Sequence, residues 1–194
     1  LRRAAVWRQR WHPHRPLGPI VVCRAGLGFL QPFFLAVALL CTLSGAQGQA
    51  LTGSQLQQIK QACETLVLDY ANHRDQSRGE KLAQLFTEDA ELSVNGQTFV
   101  GREALRNRFK APASQTFRHM MSNVQITVTG ESQATGVSYA LIFAGAIEPK
   151  NPGAPVVVSN FLAMGEYHDT FELTDAGWRI ASRRFVPVFL SNAQ

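Results

Sequence analysis

The sequence predicts an α+β domain, a cone-shaped α+β barrel with three N-terminal helices packed on a strongly curved, mostly antiparallel sheet. Helical periodicity is confined to residues 52–110 and strand alternation runs from residue 116 onward, so the two kinds of element are segregated rather than alternating. The later strands are also long, about twelve residues or more, and strands of that length accumulate twist until the sheet curls. Helices can then close one side and leave an interior.

Each element has its own signal. Thr52 or Ser54 can cap a helix, with Gln55 or Gln57 three residues on completing a capping box. Leu56, Ile59, Cys63, Leu66, Val67 and Tyr70 follow at steps of three and four, the stripe of an amphipathic helix that ends around residues 72–75. A shorter second helix has Leu82, Leu85 and Phe86 as its apolar face. Residues 90–94 and 97–100 read as a hairpin about Asn95-Gly96, a type I′ turn signal. Gly101 opens a third helix over 102–110, stopped by Pro112. Four strands complete the chain, at 116–129, 133–147, 156–173 and 178–190, with a linker at 148–155 and a turn at 174–177.

Charge divides the chain in two. Residues 1–50 hold Arg2, Arg3, Arg8, Arg10, Arg15 and Arg24 and no Asp or Glu. Setting these six aside leaves 13 of the 19 basic residues against 14 acidic ones, so the formal net charge of +5 belongs to the leader. It gives no argument for nucleic-acid binding. The Arg-rich start, the apolar run at 29–43 and the small residues at 44–50 have the order of a secretory signal peptide, cut after Ala46 or Ala50. The apolar run is shorter than the roughly 20 residues of a membrane span, and a retained anchor is the alternative. The expectation is therefore a leader at 1–50 and one domain at 51–194, secreted or periplasmic and off the membrane once cut.

Cys63 is the one thiol after the leader, so neither an internal disulfide nor a Cys/His metal set is available, and it reads as a small buried hydrophobe. No phosphate loop, nucleophile elbow or metal motif occurs, which argues against nucleotide chemistry and serine hydrolysis; no cofactor is expected.

The chemistry-bearing stretch is 116–127. At a period of two, Phe117, His119, Met121 and Asn123 share one face. A histidine turned toward an apolar interior needs a partner, because burying it unpaired costs about 1–3 kcal/mol. His73 reads as a solvated helix-end residue, His168 as an outer-face one, and Arg179, Arg183 and Arg184 as solvated or paired strand residues.

Four stretches carry a resemblance: Tyr70 to Asp75 with residues 82–90, Gly101 to Leu105, Arg118-His119-Met120 with Asn123, and residues 165–171 with 177–184. Over residues 55–188 the chain resembles the SnoaL-like proteins of the nuclear transport factor two-like superfamily. The pattern is similar to the branch that includes scytalone dehydratase and the small subunits of ring-hydroxylating dioxygenases. In the dehydratase branch an Asp at the end of the first helix orients a His on the first long strand. The resemblance puts those roles on Asp75 and His119. The dehydratase also uses a second His and paired tyrosines, whereas residues 137–141 here carry no His and residues 91–94 no Tyr. At most half of that apparatus is present.

A carboxylate on one imidazole nitrogen fixes the tautomer and makes the other nitrogen a better base. In an apolar pocket the pair can take a proton next to a carbonyl or protonate a leaving hydroxyl. Tyr70, Phe86, Met121, Asn123, Tyr139 and Trp178 are the expected substrate-binding residues. Three functions stay open: dehydration or isomerisation of a small polyketide-, steroid- or aromatic-like molecule, non-catalytic binding of a small apolar or aromatic molecule, and a structural partner subunit or homodimer joined through the sheet face.

Overall fold

Helix α1 spans Gly53–Asp75 and starts on a complete capping box. The Thr52 hydroxyl accepts from the Gln55 backbone N–H, and the Gln55 side chain accepts from the Thr52 N–H at 2.8 Å. Its buried stripe is Ile59, Cys63, Leu66, Val67, Tyr70 and Ala71, the predicted face with Ala71 added and Leu56 only half-buried. His73 and Arg74 lie in its last turn, where positive charge suits the helix dipole. The computed structural model describes residues 50–110, 114–148, 150–151 and 154–191; the predicted leader, apart from Ala50, lies outside them.

Helix α2 is Gly79–Gln84, strand β1 Phe86–Val94, strand β2 Gln97–Val100 and helix α3 Arg102–Phe109. The predicted second helix is thus cut short, and Phe86 opens β1 instead. Asn95 and Gly96 both take positive φ, 53° and 73°, as a type I′ turn requires. Arg102 staples α3 to β1, donating from Nε to the Phe86 carbonyl at 3.0 Å and pairing with Glu88. Arg106 ties α3 to α2 through Glu80 at 2.8 Å.

The long strands are β3 (Gln115–Val128), β4 (Gln133–Ala146), β5 (Ala163–Thr174) and β6 (Gly177–Leu190). The sheet order is β2-β1-β6-β5-β4-β3, antiparallel except where β1 runs parallel to β6. The sheet is curved but unclosed, so the cone keeps two edges, β2 and β3. The core lies between α1, α2 and α3 and one sheet face, centred on Phe86, Leu92, Leu105, Phe171 and Ile180.

The predicted strand at 156–173 begins only at Ala163. The apolar 156–158 segment lies against Gly145 instead, so closely that a methyl group there would stand 2.3 Å from a Val156 methyl. β-branched residues there favour strand, but the packing decides otherwise.

Candidate active site

The last residue of α1 meets the middle of β3. The Asp75 carboxylate accepts two hydrogen bonds from His119, one from ring Nδ1 to Oδ1 at 2.5 Å and one from the backbone N–H to Oδ2 at 2.8 Å. β3 is an edge strand, so an N–H on its outer side has no strand to bond. Asp75 supplies that missing partner and orients the ring together with it.

The pair is sheltered, with 5% of the His119 side chain and 12% of the Asp75 side chain exposed. Burial pushes the Asp75 carboxyl up. The ring and backbone hydrogen bonds from His119, with attraction to His119 and Arg118, outweigh it and hold the carboxyl below its ordinary range. An ionised carboxylate only accepts, so Nδ1 carries the hydrogen and Nε2 of the neutral ring keeps its lone pair. Nε2 has no hydrogen-bond partner among the described residues.

His119 lines a cavity of about 190 Å³ whose walls include Tyr70, Phe117, Ile142, Tyr167 and Phe185. Tyr70 meets Tyr167 edge-on with ring centres 5.6 Å apart, and Tyr167 leans on Phe185 at 5.1 Å. Behind the two tyrosines lies Arg183, fully buried, its guanidinium 4.2 Å from the Tyr70 ring and 4.6 Å from the Tyr167 ring. A two-pronged pair to Asp169, 2.7 Å on each prong, neutralises it. Burial raises the Tyr70 and Tyr167 hydroxyls above their ordinary value, so both stay protonated.

A second, more polar cavity of about 250 Å³ abuts the first, lined by His73, Ser77, Ser114 and Gln115. Arg74, Arg108, Phe109 and Phe117 belong to both. The structure corrects the expectation of a solvated His73. Its Nδ1 is buried without a partner among the described residues, and burial lowers its basicity. Among the described residues no three His, Cys, Asp or Glu side chains group as a metal-ligand set.

Of the predicted site residues, Tyr70 and His119 line this cavity, and Asp75 is bonded to His119 outside its lining. Phe86 is fully buried core, 6.0 Å edge-on behind Tyr70. Met121 and Trp178 pack half-buried against the core and do not line the cavity. Asn123 leaves the His119 face because β3 bulges between Ser122 and Gln125, and Asn123 itself takes a φ of 49°. It lines an outer groove with Tyr139 and Glu166. Beyond the bulge the inward positions become Val124, Ile126 and Val128. Sequence reasoning missed Arg74, Tyr167 and the Asp169–Arg183 pair. Their signal was the alternation of Tyr167, Asp169 and Phe171, whose inward sense the sequence leaves open.

The profile of the SnoaL-like domain matches residues 57–184. The chain belongs to the SnoaL-like family. Solved structures agree with this fold. A candidate scytalone dehydratase from Novosphingobium aromaticivorans DSM 12444 is 23% identical, with a TM-score of 0.62 over 74% of this chain and 93% of that one. A nuclear transport factor two-like protein with a cystatin-like fold from the same species is 24% identical, with a TM-score of 0.59 over 72% and 88%. A hexachlorocyclohexane dehydrochlorinase from Novosphingobium barchaimii LL02 is 18% identical, with a TM-score of 0.60 over 72% and 93%. No curated protein matches the sequence. At these identities the structural neighbours establish the fold of the SnoaL-like domain and nothing finer.

Proposed function

We propose that this SnoaL-like domain performs cofactor-free acid–base chemistry, dehydration or isomerisation, on a small aromatic- or polyketide-like molecule, with His119 as the base and Asp75 as its positioning residue. The observation that carries this is the sheltered Asp75–His119 bond, which leaves Nε2 unpartnered at an aromatic cavity. Nε2 takes a proton from a carbon next to a carbonyl, and the Asp75 carboxylate stabilises the imidazolium that forms. The same proton then goes to a leaving hydroxyl, which departs as water, or to another carbon of the same molecule. A cavity of about 190 Å³ is small beside the roughly 300–1,000 Å³ of common ligand pockets, which favours one or two rings over a steroid. Two structural neighbours carry the names of eliminating enzymes, a dehydratase and a dehydrochlorinase, the reaction class such a base suits. The acid-free leader supports export of the domain.

The bond from the His119 backbone N–H to Asp75 favours a second reading, because a structural clasp around a non-catalytic binding pocket would use it too. Deuterium uptake separates the two. In heavy water, one- and two-ring β-hydroxy and β,γ-unsaturated ketones are followed by proton NMR with the wild type and His119→Ala. The expected result is exchange or elimination that depends on His119. Saturable binding with no exchange above the variant for any ketone would establish the binding module instead.

A further inference from the structure

Arg102, Arg106 and Arg183 each pair with a carboxylate, but Arg74 and Arg108, on the wall of the His119 cavity, have none among the described residues. Both also line the neighbouring polar cavity, and neither cavity has an Asp or Glu in its lining. The nearest acid in sequence, Asp75, has both carboxylate oxygens engaged by His119. The Arg74 guanidinium lies over the Phe117 ring, 4.0 Å from its centre, and none of its N–H groups makes a hydrogen bond among the described residues. Burial, with the like charge of Arg108, makes the Arg74 cation less favourable than in water and outweighs the attraction of Tyr70, Tyr167 and Asp75. An anion set against the pair relieves both costs.

We propose that the molecule bound at this site carries a carboxylate, held by Arg74 with Arg108 at the exposed end, while its ring lies along the aromatic wall toward His119 Nε2. The inference rests on the acid–base reading for the role of His119, but the carboxylate preference is measured without turnover. A guanidinium fork holds a carboxylate by two charge-assisted hydrogen bonds and a neutral amide by weaker ones.

The test is equilibrium binding of 2-naphthoate and 2-naphthamide, followed by naphthyl fluorescence, to the full chain as wild type, Arg74→Met, Arg74→Lys and His119→Ala. The expected result is 2-naphthoate bound about tenfold or more tightly than the amide by the wild type. That preference falls to within about twofold in Arg74→Met and persists in Arg74→Lys and His119→Ala. Equal binding of both probes by the wild type overturns the proposal, as does binding of neither, or a preference that survives in a folded Arg74→Met. If Arg74→Met does not fold, the wild-type comparison and Arg74→Lys decide. A persistent carboxylate preference with no deuterium uptake removes the catalytic reading and leaves this one standing.

Discussion

Asp75 holds His119 at two points, ring and backbone, across 44 residues of sequence. One carboxylate therefore fixes both the place of β3 against α1 and the direction in which the imidazole points. A single substitution disturbs two properties that can be measured apart.

Asp75→Asn keeps the size of the side chain but has one acceptor oxygen, so it keeps both His119 contacts only by donating its amide N–H to Nδ1. That moves the ring proton to Nε2 and replaces charge-assisted hydrogen bonds with neutral ones. Stability should fall by about 1–3 kcal/mol, read from urea denaturation. His119-dependent proton transfer should fall further than stability explains, by roughly 10²–10⁴-fold, as when an oriented base loses its tautomer. Equal transfer rates in a folded variant would leave Asp75 a clasp and nothing more.

The depressed Asp75 carboxyl also makes a signed statement about pH. Its folded-state value lies below the unfolded one, so the unfolded chain binds the proton more readily. The stabilisation is fully present above the ordinary carboxylate range and is lost as pH falls through the folded value. Denaturation midpoints measured from neutral pH into acid should therefore drop more steeply for the wild type than for Asp75→Asn. Parallel curves contradict this.

Among the described residues, Asp169 and Arg183 form the fully sheltered ion pair, with 1% and 0% of their side chains exposed. Removing one partner strands a buried charge under Tyr70 and Tyr167. Arg183→Met or Asp169→Leu should each cost about 3–5 kcal/mol. The double variant Asp169→Leu with Arg183→Met should recover much of that loss, because two apolar side chains leave nothing uncompensated. Thermal melts of the four proteins complete the cycle.

Gly165 passes close beneath β6. A methyl group there would stand 2.4 Å from the Val186 carbonyl oxygen and 2.9 Å from the Pro187 Cα, both backbone atoms that cannot swing aside. Gly165→Ala should destabilise by about 1–3 kcal/mol. Gly130→Ala, with nothing within 4 Å of the added methyl, should be close to neutral and serves as the control.

Local signals were legible where the physics is local. The Thr52–Gln55 box, the α1 stripe and the Asn95-Gly96 turn need only neighbouring residues, and all three stand in the structure. That His119 needs a partner was legible because a polar group on an apolar face demands one; that the partner is Asp75 came from the resemblance to the dehydratase branch. What escaped depends on single extra residues. Counting from the turn, where Thr174 faces Gly177, puts Ser182 opposite Asp169. The shift in register between Thr170 and Phe171 brings Arg183 there instead, making the buried pair. The bulge at Asn123 likewise exchanges the faces of β3, so strict alternation put Asn123 beside His119 when it points outward. The apolar 156–158 segment reads as strand by composition and becomes a crossing segment because Gly145 leaves room for it.

The most direct measurement is a long-range ¹⁵N–¹H NMR spectrum of the His119 ring in alkaline solution, which shows which nitrogen carries the proton. The Asp75 geometry predicts a proton on Nδ1 and a lone pair on Nε2, the arrangement of a base presented to the cavity. A proton on Nε2 would contradict it, because the ring would then offer the cavity a donor and no base.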